Sequence, residues 1–176
     1  MLENRNINVC LVSDIFENYP LSENTIVVVV DLLRATTVIS TAFNFGVKEI
    51  IPVPSLEIAK TYIDREDFIV AAERNAMPIK GFDYGNSPFQ YMNNDILDKT
   101  LVLTTTNGTK AINIASSYEV ITSCFINIDA VEEFLLNSNK DVLILCSGWK
   151  GVFNLEDTIF SGCLANKLIS SKKFNV

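Results

Sequence analysis

Apolar residues along this chain fall into short runs of β-formers, separated by longer stretches in which they recur every three or four positions, the signature of strands alternating with amphipathic helices. The runs predict strands over residues 7–12, 26–31, 47–53, 67–72, 101–104, 120–123 and 141–146. Helical spacing predicts helices over 35–45, closed by Gly46, and over 108–116, 129–137 and 154–169. Another opens at Pro54-Ser55, with Leu56, Ile58, Ala59, Tyr62 and Ile63 mostly on one face. The middle, 73–98, is loop-rich and holds one short helix beginning at Ser87-Pro88, where proline suits the first helical turn. Runs such as 27–30 and 142–145 carry no polar alternation, so they read as strands covered on both faces. The expected class is α/β: one three-layer α/β/α domain over 1–176 with a largely parallel or mixed central sheet. Ligands of such sheets gather at the carboxyl ends of strands, and every polar cluster of this sequence lies at such an end.

Two of those ends repeat one another. The run 26–30 leads into Asp31-Leu32-Leu33-Arg34-Ala35-Thr36-Thr37, and the run 101–103 leads into Thr104-Thr105-Thr106-Asn107-Gly108-Thr109. Aligned without gaps, Asp31 matches Thr104, Arg34 matches Asn107 and Thr36 matches Thr109, giving two similar strand-turn-helix halves that could face one ligand. A strand entering a helix N-terminus leaves unpaired N–H groups and partial positive charge, an anion site. Asp31 by itself reads equally as a helix-start acid, but Arg34 opposes the helix dipole and is better explained by an anion lying between it and the helix. Thr104 to Thr109 supplies hydroxyls, an amide and a glycine around a tetrahedral oxyanion, although Asn107 would also serve as a cap.

Composition narrows the chemistry. With 14 Lys plus Arg against 21 Asp plus Glu, the net charge is -7, which argues against a nucleic-acid binder held by general charge. The chain has no histidine, excluding Ser-His-Asp hydrolases, histidine phosphatases and the usual zinc sites. A metal would be held mainly by oxygen, which points to Mg2+. Cys10, Cys124, Cys146 and Cys163 have no paired metal spacing and read as reduced core residues. Val152 stands six residues after Cys146, so a phosphate-cradling Cys-x5-Arg loop is missing. With no secretory pattern at the start and no apolar stretch of spanning length, the expectation is a soluble cytoplasmic protein that binds neither membrane nor nucleic acid.

Further clusters add acid to the same sheet edge. Glu73 and Asp83 flank a long loop as magnesium ligands or water-orienting groups, while Asn86 and Ser87 close it ahead of Pro88. After 141–146 come Ser147-Gly148-Trp149-Lys150-Gly151, then Asn154 as a cap, with Asp157 positioned for a return contact. Glu156 and Asp157 would repel Asp31 unless a divalent cation or an arginine lay between them.

Taken in order and spacing, five blocks resemble the 2-phosphosulfolactate phosphatase family over roughly residues 7–170. These are Asp31-Leu-Leu-Arg34-Ala-Thr36-Thr37, Glu73-Arg74, Gly81-Phe82-Asp83-Tyr84-Gly85-Asn86-Ser87-Pro88, Thr104-Thr-Thr-Asn107-Gly108-Thr109, and Gly148 through Glu156-Asp157. The resemblance implies a magnesium-dependent phosphatase releasing phosphate from 2-phospho-3-sulfolactate, a step towards coenzyme M in methanogens, on a three-layer α/β/α fold. Family members usually continue several tens of residues beyond Lys172-Lys173-Phe174-Asn175-Val176, so a shortened member or a fragment is expected. An exposed sheet edge or helix face would then favour a homo-oligomer.

The expected chemistry is metal-assisted phosphomonoester hydrolysis of a small anionic substrate. Asp31, Glu73 and Asp157 are assigned to metal or water activation, with Asp83 and Glu156 as further Mg2+ ligands. Arg34, Thr106, Asn107 and Thr109 bind anionic oxygens, with Thr36, Thr37, Asn86, Ser87, Gly108 and Gly148 also expected to meet substrate. Ligand, base and nucleophile are not distinguished among the carboxylates. A haloacid-dehalogenase-like enzyme needs a second acid where Leu33 stands, and no Gly-x4-Gly-Lys loop of a nucleotide kinase occurs. The alternative from another class is a non-catalytic binder of small phosphorylated or sulfonated acids.

Overall fold

The computed structural model describes residues 5–175; Met1 to Asn4 and Val176, at the ends of the expected domain, lie outside the described residues. Strands and helices alternate as the pattern predicts. In order they are β1 (Arg5–Cys10), β2 (Thr25–Val30), α1 (Ala35–Asn44), β3 (Glu49–Pro52), α2 (Leu56–Lys60), β4 (Phe68–Arg74) and β5 (Met77–Pro78). There follow β6 (Thr100–Thr104), α3 (Gly108–Ile114), β7 (Glu119–Thr122), α4 (Ile128–Asn137), β8 (Asp141–Cys146), α5 (Leu155–Ser170) and β9 (Phe174–Asn175). Among the described residues, no helix is long and apolar enough to cross a membrane.

The α/β class and the largely parallel pairing are as expected, but the strands divide between two sheets instead of sharing one. The first has the order β7-β2-β8-β1-β9 and is parallel throughout. The second has the order β3-β6-β4-β5, parallel except for the antiparallel β4–β5 edge. Strand-helix alternation fixes direction without saying which sheet a strand joins, which is why the division is invisible in the hydrophobic pattern. Along the chain, α1 carries the path from the first sheet to the second and α3 carries it back.

Those two crossover helices occupy the space between the sheets. Val38, Ile39 and Ala42 of α1 pack with Ile69, Ala71, Leu101 and Leu103 of the second sheet. Ala111 and Ala115, on and just beyond α3, pack with Val27, Val29, Leu143 and Leu145 of the first, and Ile112 touches both clusters. The opposite face of the first sheet presents Ile26, Val28, Val30, Val142 and Ile144 to Val131 and Leu135 of α4 and to Phe160, Leu164 and Leu168 of α5. Thus β2 is buried at every residue, as its unbroken apolar run requires. The outer face of the second sheet is covered by Ala59 of α2, which packs with Val70 and Val102. All four cysteines are free; three are buried, while Cys163 is exposed on α5 and so is not the core residue expected.

Leu103 is fully buried between α1 and the second sheet. Leu103→Ala is expected to cost about 2–5 kcal/mol in urea unfolding, because the surrounding layer cannot close the cavity. Phe89→Ala, at a side chain 79% exposed, is expected to shift stability by no more than about 0.5 kcal/mol in the same measurement.

Candidate active-site cleft between the sheets

Because β2 and β8 are parallel in the first sheet and β4 and β6 in the second, the carboxyl ends of β2, β4 and β6 and the loop after β8 come together. They surround a cleft of about 260 Å³, counting the part open to solvent, lined by Asp31, Leu33, Arg34, Glu73, Ala76, Asn86, Asn107 and Trp149. A larger hollow beside α4 draws its acids, Asp129, Glu132 and Glu133, from that single helix. The cleft instead collects residues from both sheets, and its polar groups are the buried ones.

Asp31 sits where the two similar turns meet. Its Oδ1 accepts from the Ala35 N–H at the start of α1, 3.3 Å away, and the Gly108 N–H at the start of α3 also favours its ionised form. A Cβ on Gly108 would stand 2.5 Å from the Ala35 Cβ and 2.6 Å from Asp31 Oδ2, so only glycine permits this approach. Asp31 is 7% exposed. Burial, with the charges of Asp157 and Glu73 adding to it, pushes its carboxyl up to about 7 despite the two N–H donors.

Asp157 performs a different task. Its Oδ1 accepts from the Leu32 N–H at 2.8 Å, and Oδ2 accepts from Ser147 Oγ at 3.1 Å, Asn154 Nδ2 at 3.0 Å and the Gly148 N–H at 3.3 Å. One fully buried carboxylate therefore ties the Asp31 turn to the loop after β8 and to the first turn of α5. Asn154 Oδ1 accepts from the Asp157 N–H, the cap read from the sequence, while the Asp157 carboxylate meets the Asn154 side-chain amide in place of the expected return contact. Burial raises the Asp157 carboxyl as well, opposed by its four donors.

Glu73, at the end of β4, is 4% exposed and accepts from the Thr106 N–H and Oγ1 at 3.1 and 3.0 Å and from the Ala76 N–H. Arg74 donates to Thr104 Oγ1 at 2.9 Å. Arg34 reaches across to the Ala76 carbonyl at 3.2 Å, and Asn107 accepts from the Lys150 N–H at 3.3 Å without capping α3. Asn86 is the exception among these groups. It is 7% exposed, and its Oδ1 has no hydrogen-bond partner among the described residues.

Several expected contacts are spent inside the protein. Thr36 Oγ1 donates to the Asp31 carbonyl at 2.9 Å, Thr37 Oγ1 to the Leu32 carbonyl at 2.7 Å, and Thr109 Oγ1 to the Thr105 carbonyl at 3.0 Å. These hydroxyls hold the turns in shape. Gly148, at φ +68, is backbone for the Asp157 contact, and Ser87 lies at the start of a 3-10 turn without lining the cleft. Asp83 stands beside the middle of β4, where Oδ2 accepts from the Val70 N–H at 2.9 Å, and Glu156 does not line the cleft. The five carboxylates expected to share a metal are therefore not gathered. Among the described residues, no three acidic or cysteine side chains form a group able to hold an ion by themselves.

Trp149, Leu33 and Ala76 line the cleft although no role was read for them. Trp149 had a signal: a lone tryptophan between two glycines after a buried strand. Leu33 had another, the second of two leucines set between Asp31 and Arg34. It is 65% exposed.

A family model described as 2-phosphosulpholactate phosphatase matches residues 10–176 of the chain. The chain is 44% identical over 153 residues to a protein of Caldanaerobacter subterraneus subsp. tengcongensis named "Probable 2-phosphosulfolactate phosphatase", covering 84% of this chain and 63% of the relative. Proteins of the same name show 45% identity over 141 residues in Thermotoga petrophila, covering 80% and 61%, and 40% over 153 residues in Clostridium novyi, covering 85% and 65%. The chain thus spans 61% to 65% of the length of these relatives.

The raised Asp31 carboxyl has a stability consequence whose sign is fixed. Between its ordinary value of 3.8 and about 7 the folded state keeps a proton that the unfolded state has lost, so stability falls as pH rises through that window. With a chelator present, Asp31→Asn is expected to flatten that decline and to exceed the wild type by on the order of 2–4 kcal/mol above pH 7, read by urea unfolding at pH 4 and pH 8. Gly108→Ala should cost about 1–3 kcal/mol in the same unfolding experiment and displace the Asp31 carboxylate in a crystal structure of the variant.

Proposed function

Since the chain belongs to the 2-phosphosulpholactate phosphatase family, we propose that its cleft hydrolyses the phosphomonoester of 2-phospho-3-sulfolactate, or of a closely similar phosphorylated hydroxy acid, with Mg2+ as cofactor. The observation that carries the reading is the oxygen set at the inner end of the cleft. Asp31 and Glu73 present carboxylates, and Asn86 presents a buried Oδ1 without a protein donor. Three acceptors facing one space call for a cation, and Mg2+ takes one or two carboxylates while leaving positions for water and phosphate oxygens. The residues therefore fit the ion, with Asp31, Glu73 and Asn86 as its holders. Bound there, Mg2+ would supply Lewis-acid neutralisation of the phosphoryl charge.

The chain's own groups divide the remaining work. Arg34, half-buried at the cleft and without a carboxylate partner among the described residues, offers its guanidinium to phosphoryl oxygens. Asn107 has its Oδ1 fixed by the Lys150 N–H, leaving Nδ2 as the donor turned to the ligand. Thr106 anchors Glu73 through both its N–H and its hydroxyl, so that carboxylate is oriented before substrate arrives. Asp157 keeps the Leu32 and Gly148 backbones in register and thereby sets the width of the cleft without entering it.

Phosphate release from 2-phospho-3-sulfolactate, followed with Mg2+ and with excess chelator, tests the reading. The expected result is metal-dependent turnover that Asp31→Asn reduces by about a hundredfold or more. Tight binding of the ester with no release in Mg2+ would instead identify a non-catalytic binder.

A further inference from the structure

The loop between β8 and α5 is more rigid than a connecting segment needs to be. Trp149 and Val152 exchange backbone hydrogen bonds at 2.7 and 3.1 Å, closing a tight turn in which Lys150 and Gly151 both take left-handed φ, +52 and +78. A lysine in that region is uncommon and is held only where its surroundings fix it. Here the Gly148 N–H is bound to Asp157 and the Lys150 N–H to the cleft residue Asn107, so the first half of the turn is anchored on both sides of Trp149. The anchoring sets where two side chains leave the backbone. Trp149 forms a wall of the cleft, and the Lys150 ammonium lies 5.5 Å from the centre of its ring.

Charge is also distributed unevenly. Acceptors occupy the inner end, where Asp31 and Glu73 would repel any second anion on a ligand. Arg34 lines the cleft, Lys150 is exposed beside the cleft-lining Trp149, and neither has a carboxylate partner among the described residues. A phosphomonoester with one further acidic group could place its phosphate at Arg34 and the inner oxygens and would need a separate cation for the other end.

We propose that Trp149 and Lys150 form a recognition subsite for that second acidic group, a carboxylate or sulfonate carried on the same small molecule as the phosphate. Resting on the phosphatase reading, the subsite names the feature by which the cleft selects diacidic esters over simple alkyl phosphates. The ring excludes water from one side of the ion pair, the anchored turn limits the entropy lost on binding, and the ammonium supplies the charge.

Steady-state kinetics on 2-phospho-3-sulfolactate, 2-phospholactate and isopropyl phosphate test this with wild type, Lys150→Met and Lys150→Arg. Lys150→Met is expected to raise KM about five- to tenfold more for 2-phospho-3-sulfolactate than for isopropyl phosphate, with Lys150→Arg restoring most of the difference. A rise confined to the sulfonated ester identifies sulfonate as the group read, and a rise shared with 2-phospholactate identifies carboxylate. Equal changes on all three esters, or none, overturn the subsite. Should wild type release phosphate from none of them, the phosphatase reading fails by itself. The subsite is then decided by calorimetric affinity for sulfolactate, which Lys150→Met weakens about five- to tenfold if the subsite is real and leaves unchanged if it is not.

Discussion

Everything at the cleft depends on how closely two helix starts can approach. The first residue of α3 lies against the first residue of α1 and against the Asp31 carboxylate, in a space that a single methyl group would overfill. That contact joins the two sheets at the ends that line the cleft, since α1 begins at the end of a strand in one and α3 at the end of a strand in the other. It also leaves the Asp31 carboxylate poor in water, with the Ala35 N–H as a backbone donor, a setting that favours the protonated form. A wider approach would admit water and return the carboxyl towards its ordinary value.

Around that contact, carboxylates that look alike in the sequence do unlike work. Asp157 is saturated by donors from three segments and acts as a strut. Asp83 is bound to the backbone of β4, and Glu73 is oriented by Thr106 while still facing the cleft. The threonines divide similarly, with Thr36 and Thr109 closing their own turns and Thr106 serving a neighbour. What separates a structural acid from an available one is whether the carboxylate still faces the cleft after its N–H and O–H partners are met.

Much of this could be read in advance, for definite reasons. The β-branched run before Asp31 and the threonine series after β6 mark strand ends, and parallel strands bring such ends to one side, so Asp31, Arg34, Glu73, Asn86 and Asn107 were legible as neighbours. Asn154 was legible as a cap because its spacing to Asp157 is local. The two-sheet division was hidden, because helix crossovers look the same whether they return to one sheet or pass to another. The internal use of Thr36 and Thr109 was hidden too, since a hydroxyl that closes a turn and one that meets a ligand have the same sequence spacing. Asp83 was misplaced because a loop's path, unlike a strand's, is not set by periodicity.

The helical layer shared by the two sheets gives the cleft a mechanical character. Asp31 and Trp149 ride on the first sheet, while Glu73 and Asn86 ride on the second, and Ile112 packs against both. The site is in effect a caliper whose jaws are the sheets and whose hinge is the α1–α3 layer. Loosening of that layer, by heat, pressure or a small cavity, would part the jaws while every strand remained paired, so the cleft would be lost before the secondary structure.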